Sequence, residues 1–548
     1  YVGTNAAGAD LGNTDQGVIV NVAPGATFNI GGAAAGEGNI IGFQDVAGDA
    51  GIYINNGSLT LMPGIYIVDG VGLSVSGTAN LTALGVMFYI GLQLLVGLLV
   101  SRRITSESDY LLAGRSLGYS LTTFSFFATW FGAETCVSSA GGLYEKGLAG
   151  GAAEPFGYAL CVILLGLFFA VRLWKRGLTP IADFFSQRYS PSVEKLAVII
   201  LAPTSVFWAA AQIRAFGQVL SASSGATVTT AITIAAAVVI VYTVFGGLRA
   251  DVITDFVQGV LIIIGLVVLL FAIVGDLGGF HAVWAGIPSE RLRFFGGPES
   301  SLWDIMEAWA IPVCGSLVAQ ELVSRVAASR TPQIASRSAL MGGAMYLLIG
   351  MIPAFIGLVG INFMPELKNP EQILPLLAQK HLSTFFYILF AGALVSAILS
   401  TVDSSLLAAS ALISHNLLVP YRPGISEAAK VRMARIGVAV CGVIAWMLAL
   451  SAETIYGLVE ASSAFGGGGL FVLMVAGLFT KLGGRIAGLA TVLTSLTVWL
   501  AATLTGAPYA FIPSMLAAMA AYLLATLAEW WLASKVPCEQ ESTSSHRP

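Results

Sequence analysis

Charge is what this chain has least of. Of 548 residues only 10% are Asp, Glu, Lys or Arg, 56% are hydrophobic, and the mean hydropathy is +0.83. Soluble chains of this length carry about a quarter charged residues, so a polytopic helical membrane protein is the default reading. Histidine is scarcer still. His281, His381, His415 and His546 fall in loops or at helix ends with no nucleophile–base arrangement around them, so we expect no enzyme. The five cysteines (Cys136, Cys161, Cys314, Cys441, Cys538) lie far apart, without metal-ligand spacing, and read as buried thiols. No basic patch interleaved with aromatics points to nucleic acid.

Positive charge is missing altogether before Arg102, a segment that holds six acids, Asp10, Asp15, Glu37, Asp45, Asp49 and Asp69. Residues 1–82 contain short alternating runs such as "ATFNIGG" and "GIYINNGSLTLMPGIYIVDG", separated by Gly, Asn and Pro turns. Period-two alternation between dense turn signals predicts short strands. We expect a small β-rich, solenoid-like segment outside the membrane, passive in transport. The chain opens on Tyr1 without a leader, which suggests a truncated or fused start.

From residue 83 long apolar runs take over. Thirteen candidate spans centre near Leu92, Trp130, Leu164, Ser205, Ala236, Ile264, Val318, Ile349, Leu399, Val440, Gly469, Leu493 and Ala521. Each is long enough to cross roughly 30 Å of hydrocarbon. With the N-terminus outside, twenty basic residues, Arg325 among them, fall in inward loops or the tail 536–548. Five fall outward: Lys146, Arg291, Arg293, Lys368 and Lys380. That bias predicts an N-out, C-in chain in the cell (inner) membrane.

The polar residues inside the spans carry the functional reading. Arg214, in the fourth span, either pairs with Glu134 or snorkels to the outer interface. "FATWFGAET" in the second span holds Gly132, and "IPVCGS" in the seventh holds Pro312 and Gly315. Interruptions at corresponding places in two halves, about 120–275 and 302–481, point to a carrier site at mid-membrane, although one Gly or Pro in a span is more often packing. The ninth span, "VSAILSTVDSSLLAAS", sets Ser400 and Thr401 near its midpoint with Ala397 one turn before. Neutral hard oxygens of this kind suit an alkali cation; for Ser404 and Ser405 a bond back to the preceding turn is favoured. Asp255 lies about one turn inside the sixth span, and Asp251 reads as a helix-start residue.

At these residues the chain resembles the sodium:solute symporter family, which includes sodium–glucose, sodium–proline and sodium–choline transporters. The resemblance rests on "SESDYLLAGRSLG", "ATWFGAET", "YTVFGGLRADVITDFVQG", "SRVAASRTPQIASRSALMGG" and "SAILSTVDSS", in family order from residue 83 to about 535. It implies an all-α leucine-transporter-like fold of two inverted five-helix repeats. It also implies sodium as coupling ion, held by the carbonyls of Ala128, Phe131 and Ala397 and the hydroxyls of Ser400 and Thr401, with Asp255 on the inward path. Trp130 stands where proline carriers have an aspartate and sugar carriers an asparagine, so neither solute carries over. Glu134 matches an acid of the sugar branch. "ATW" and "DSS" look more like the choline branch, whose aromatic after "IP" is Val313 here. Trp130, Glu134, Trp208 and Gln212 are the candidate solute contacts. The expectation is sodium-driven import of a small polar organic solute by alternating access. A proton-coupled carrier or a transporter-like sensor is the alternative, and oligomeric state is left open.

Overall fold

The computed structural model describes residues 104–535, apart from 133, 225–226, 296–299, 368–369 and 453, and before them residues 19–21, 27–30, 53–55, 58–61 and 91. The chain divides into two units, Tyr1–Leu81 and Thr82–Pro548. In the first, β1 (Ile19–Asn21) pairs in parallel with β3 (Tyr53–Asn55), and β2 (Thr27–Ile30) with β4 (Ser58–Leu61). Two-stranded pairs this short are marginal elements and do not amount to the β-rich module expected over residues 1–82. The rest of that segment, the first expected span near Leu92 and the tail 536–548 lie outside the described residues.

The second unit is helical. Among its described residues nine helical runs are long and apolar enough to cross a membrane, or ten if a pair bent by 46° counts as one span. The expected thirteen is not reached, for three physical reasons. One span lies outside the described residues. The outer half of the second continues into the third as the run Glu134–Lys175, because π and 3-10 turns bridge the expected loop. The fifth and sixth join in one run, broken at a single residue. That residue is Gly247, at φ 60°, ψ 179°, a conformation only glycine adopts readily.

The elements that build the site begin with α1 (Glu107–Leu112), closed by a capping box in which Ser106 Oγ accepts from Asp109 N while the Asp109 carboxylate accepts from Ser106 N. Burial alone would raise the Asp109 carboxyl, but donors from Ser106 and Thr105 hold it below the usual carboxylate range. α2 (Tyr119–Trp130) and α3 (Ser139–Lys146) are the two parts of the second span. α4 (Pro191–Ser224) and α5 (Val228–Asp276) follow. At the Gly247 break the Tyr110 hydroxyl of α1 donates to Thr243 O and Val244 O at 3.2 and 3.3 Å, satisfying carbonyls the break sets free.

The bent span comprises α6 (Leu302–Ala310), π and 3-10 turns over residues 311–318, and α7 (Gln320–Ala328). Then come α8 (Pro332–Gly360), α9 (Thr384–Ala411), α10 (Glu427–Ser451), α11 (Ile455–Ala464), α12 (Gly467–Phe479), α13 (Arg485–Leu504) and α14 (Phe511–Lys535). α9 packs against both α4 and α5, α8 against α2, and α13 against α14. Large apolar side chains such as Phe271, Leu348, Leu527 and Trp530 remain exposed, which suits lipid contact.

Candidate functional site

α2 ends in mid-span because Phe131 leaves helical geometry at φ −88°, ψ 65°, with its N–H still bonded to Phe127 O at 3.0 Å. Gly132 follows without a positive φ. Its role is spatial: a Cβ there would lie 2.7 Å from Gln212 Oε1 and from Glu134 Oε2. Facing the break, the Thr401 hydroxyl of α9 reaches Ala128 O at 3.4 Å and Ala397 O at 3.2 Å. Three of the five expected sodium ligands are thereby brought together, with Phe131 at the break three residues beyond Ala128. Ser400 turns elsewhere: its hydroxyl donates to Asp255 Oδ1, while Ser125 Oγ donates to Oδ2 of the same carboxylate at 2.8 Å. Asp255 is fully buried, held between Ser400 and Ser125.

Beside it lies a charged cluster that sequence reasoning missed. Arg325, read as a loop cation, sits on α7 at 1% exposure and bonds Asp251 Oδ2 at 2.6 Å, with Asp255 Oδ2 at 4.0 Å. It also donates to Ser125 Oγ at 3.2 Å and to Ser404 Oγ. Asp251, in the first turn after the Gly247 break as expected of a helix-start residue, is also half of a buried ion pair. Ser405 does bond back to Thr401 O at 2.8 Å, whereas Ser404 bonds both Ser400 O and Asp251. Asp403, also buried, accepts from Thr243 Oγ1 at 2.5 Å.

On the other side of the break the aromatic residues form a block. The Trp130 ring lies 4.7 Å from Trp208 and 4.9 Å from Tyr158. A pocket of about 20 Å³, room for little more than a water, lies among Thr129, Trp130, Ser205, Trp208, Ala319 and Glu321. The seventh span breaks beside it. Pro312 and Gly315 occupy a π turn, and the helix leaves α geometry at Ala319 (φ −62°, ψ 129°), four residues beyond the expected Gly315. Gly315 is needed for packing, since a Cβ would stand 2.1 Å from Ser463 O. Pro312 packs on Gly157, where an added Cβ would meet its Cγ at 2.6 Å.

Glu134 is met by Gln212 and not, among the described residues, by Arg214, whose Nη1 donates to Ala449 O at 3.0 Å. Near Glu134 lies a second buried acid, Glu154, bonded by the Tyr346 hydroxyl, which itself contacts Thr135 Oγ1 at 2.7 Å. "AAEPFG", an acid before a proline within an apolar run, was the signal that could have flagged Glu154.

Two interrupted helices, with an oxygen cluster at one interruption and an aromatic block between them, form the kind of arrangement found in membrane carriers. The chain belongs to the sodium:solute symporter family, whose profile matches residues 110–493. It is 28% identical over 409 residues to a high-affinity choline transporter of Caenorhabditis elegans, covering 68% of this chain and 69% of that one. It is 27% identical over 454 residues to a high-affinity proline transporter of Bacillus subtilis, covering 78% and 93%. The chain spans about two thirds of the length of the first choline-transporter relatives, 69% and 64%. A solved Na+-coupled sialic acid symporter, in a substrate-bound outward-open state, superposes with TM-score 0.72 at 18% identity over 83% of this chain and 97% of that one, a likeness of fold. The expected helical membrane-carrier fold therefore stands at the level of that likeness.

Proposed function

We propose that the chain imports a small organic solute with sodium by alternating access, with the N-terminus outside and the C-terminus inside. The observation that carries the ion site is the Thr401 hydroxyl, 3.4 Å from Ala128 O across the break and 3.2 Å from Ala397 O. Oxygens about 2.4 Å from a hard cation and at right angles around it stand about 3.4 Å apart. The carbonyl of Phe131 and the hydroxyl of Ser400 would complete the set, the latter released from Asp255 as the ion enters. Asp255 would then draw the ion inward. Trp130, Trp208, Gln212 and Glu134 would form the solute side, and residues 120–275 and 302–481 the two repeats. Residues 1–82 take no part in this cycle. The basic residues concentrated in alternate loops support the orientation.

The test is unfolding of the purified full chain in detergent as a function of cation. Sodium should raise the unfolding midpoint more than potassium or lithium at equal ionic strength, and Thr401→Ala should remove the difference. A response that follows pH and ignores the alkali cation would replace sodium by the proton.

A further inference from the structure

Two carboxyls beside the broken helix each keep one oxygen without a hydrogen-bond partner among the described residues. Glu134 and Glu154 are 0% and 5% exposed. Each engages one oxygen, with Gln212 and Tyr346 respectively, and each leaves its Oε1 without a hydrogen-bond partner among the described residues. Both line a cavity of about 230 Å³, together with Tyr158, Asp304, Glu307 and Glu460, and among the described residues no Lys, Arg or His lines it. The outer acids are already employed. Glu307 accepts from the backbone N–H groups of Ala510, Phe511 and Ile512, and Asp304 from Ser301 and Tyr509. Glu460, nearer the mouth, shares its surroundings with Lys146. Among the described residues the unpartnered buried groups lining it are the two inner carboxyls and, between them in the chain, the Ser138 hydroxyl. A buried carboxylate oxygen without a donor is costly, and two of them facing one cavity make a receptor for donors carrying positive charge.

We propose that this cavity receives an organic ammonium with N–H bonds, a protonated amine, whose hydrogens are taken by Glu134 Oε1 and Glu154 Oε1. A quaternary ammonium has no such hydrogens, and a carboxylate is repelled. Charge-assisted hydrogen bonds give direction as well as attraction, and the Tyr158 ring, against Trp130, offers the alkyl part an apolar wall. As the identity of the carried solute, this rests on the function proposed above; as a binding site, it stands without it.

The experiment uses the purified full chain at fixed saturating NaCl and reads the unfolding midpoint against four probes of equal length. These are n-butylammonium, N,N,N-trimethylbutylammonium, 1-butanol and butyrate. Butylammonium should stabilise at concentrations about tenfold below the quaternary probe, the worth of one charge-assisted hydrogen bond, while butanol and butyrate do nothing. In the double variant Glu134→Gln/Glu154→Gln the half-effect concentration should rise about tenfold or more, with the sodium response kept. Equal response to the quaternary probe overturns the proposal, as does a response that survives in the double variant. So does displacement of the amine by rising sodium, which would assign the pair to the inorganic ion. If the double variant does not fold, the four-probe series on the unaltered chain decides alone. An amine response in a protein that fails to distinguish sodium from potassium would leave this site standing and remove the sodium coupling.

Discussion

Replacing Arg325 by methionine removes the cation that, among the described residues, pairs with a cluster of buried acids. Its guanidinium bonds Asp251 Oδ2 at 2.6 Å, lies 4.0 Å from Asp255 Oδ2 and reaches Ser125 and Ser404, all within a region closed to solvent. Methionine fills much of the same volume, so packing is largely preserved and the loss is electrostatic. Removing one partner of a buried ion pair costs about 3–5 kcal/mol because the other charge stays buried. We therefore expect Arg325→Met to lower unfolding stability by that amount. Arg325→Met/Asp251→Asn should recover part of it, since the orphaned charge goes too. The assay is equilibrium unfolding in mixed detergent–dodecyl sulfate micelles, followed by far-UV circular dichroism, for both single variants and the double. Coupled residues depart from additivity by about 0.5–3 kcal/mol. Single losses that add within about 0.5 kcal/mol, or an Arg325→Met loss below about 1 kcal/mol, would refute the view that this pair is closed off from water and holds α5 to α7.

Thr401→Ala should raise the half-saturating sodium concentration about tenfold, the loss of one oxygen ligand, while Ser405→Ala, whose hydroxyl serves only Thr401 O, should leave it near wild type. Sodium titrations of the two variants side by side check this. Gly132→Ala should cost about 1–3 kcal/mol through overpacking, because its Cβ would sit 2.7 Å from Gln212 and Glu134. Gly132→Ala combined with Gln212→Ala should regain part of that loss in the same unfolding assay. Trp130→Ala should weaken binding of butylammonium more than Trp130→Phe does, with sodium affinity unchanged in both. Loss of folded protein with unaltered affinity in the remainder would make Trp130 a packing residue only.

Local patterns in the chain disclosed the parts of the site that depend on near neighbours. Ser400 and Thr401 stand one turn from Ala397, and the second span was readable as interrupted because a glycine and an acid sit inside an apolar run. What stayed hidden depends on partners far along the chain. Arg325 and Asp251 are 74 residues apart, and Glu154 and Tyr346 are 192 apart. Counting loop charges cannot tell a solvated arginine from one folded inward, so Arg325 was assigned to the loops. Gly132 was found, but its physical role is to admit two side chains, not to supply an unusual dihedral angle. Pro312 marked an irregular stretch, yet the helix absorbs it in a π turn and breaks only at Ala319. Fewer spans than expected are distinct among the described residues because helical backbone runs on through segments whose polarity suggested loops, and because the span near Leu92 lies outside those residues.

The two mid-span breaks also fix the polarity of the space between them. A helix end carries about half an elementary charge, negative at the C-terminus and positive at the N-terminus. α2 ends at Trp130 with no basic residue in its last turn, and neutral hydroxyls alone meet its end, Thr135 on Trp130 O and Thr401 on Ala128 O. α7 begins at Gln320 with no side-chain cap, and its positive end is answered by Glu321 in the first turn, buried and with Oε1 unpartnered among the described residues. Neither helix end is met by a cation of its own turn: one is closed by hydroxyls and the other carries an acid. The pocket between Trp130 and Ala319 thus has a carbonyl-bearing helix end on one side and an acid at the head of the next helix on the other, acceptors at both edges.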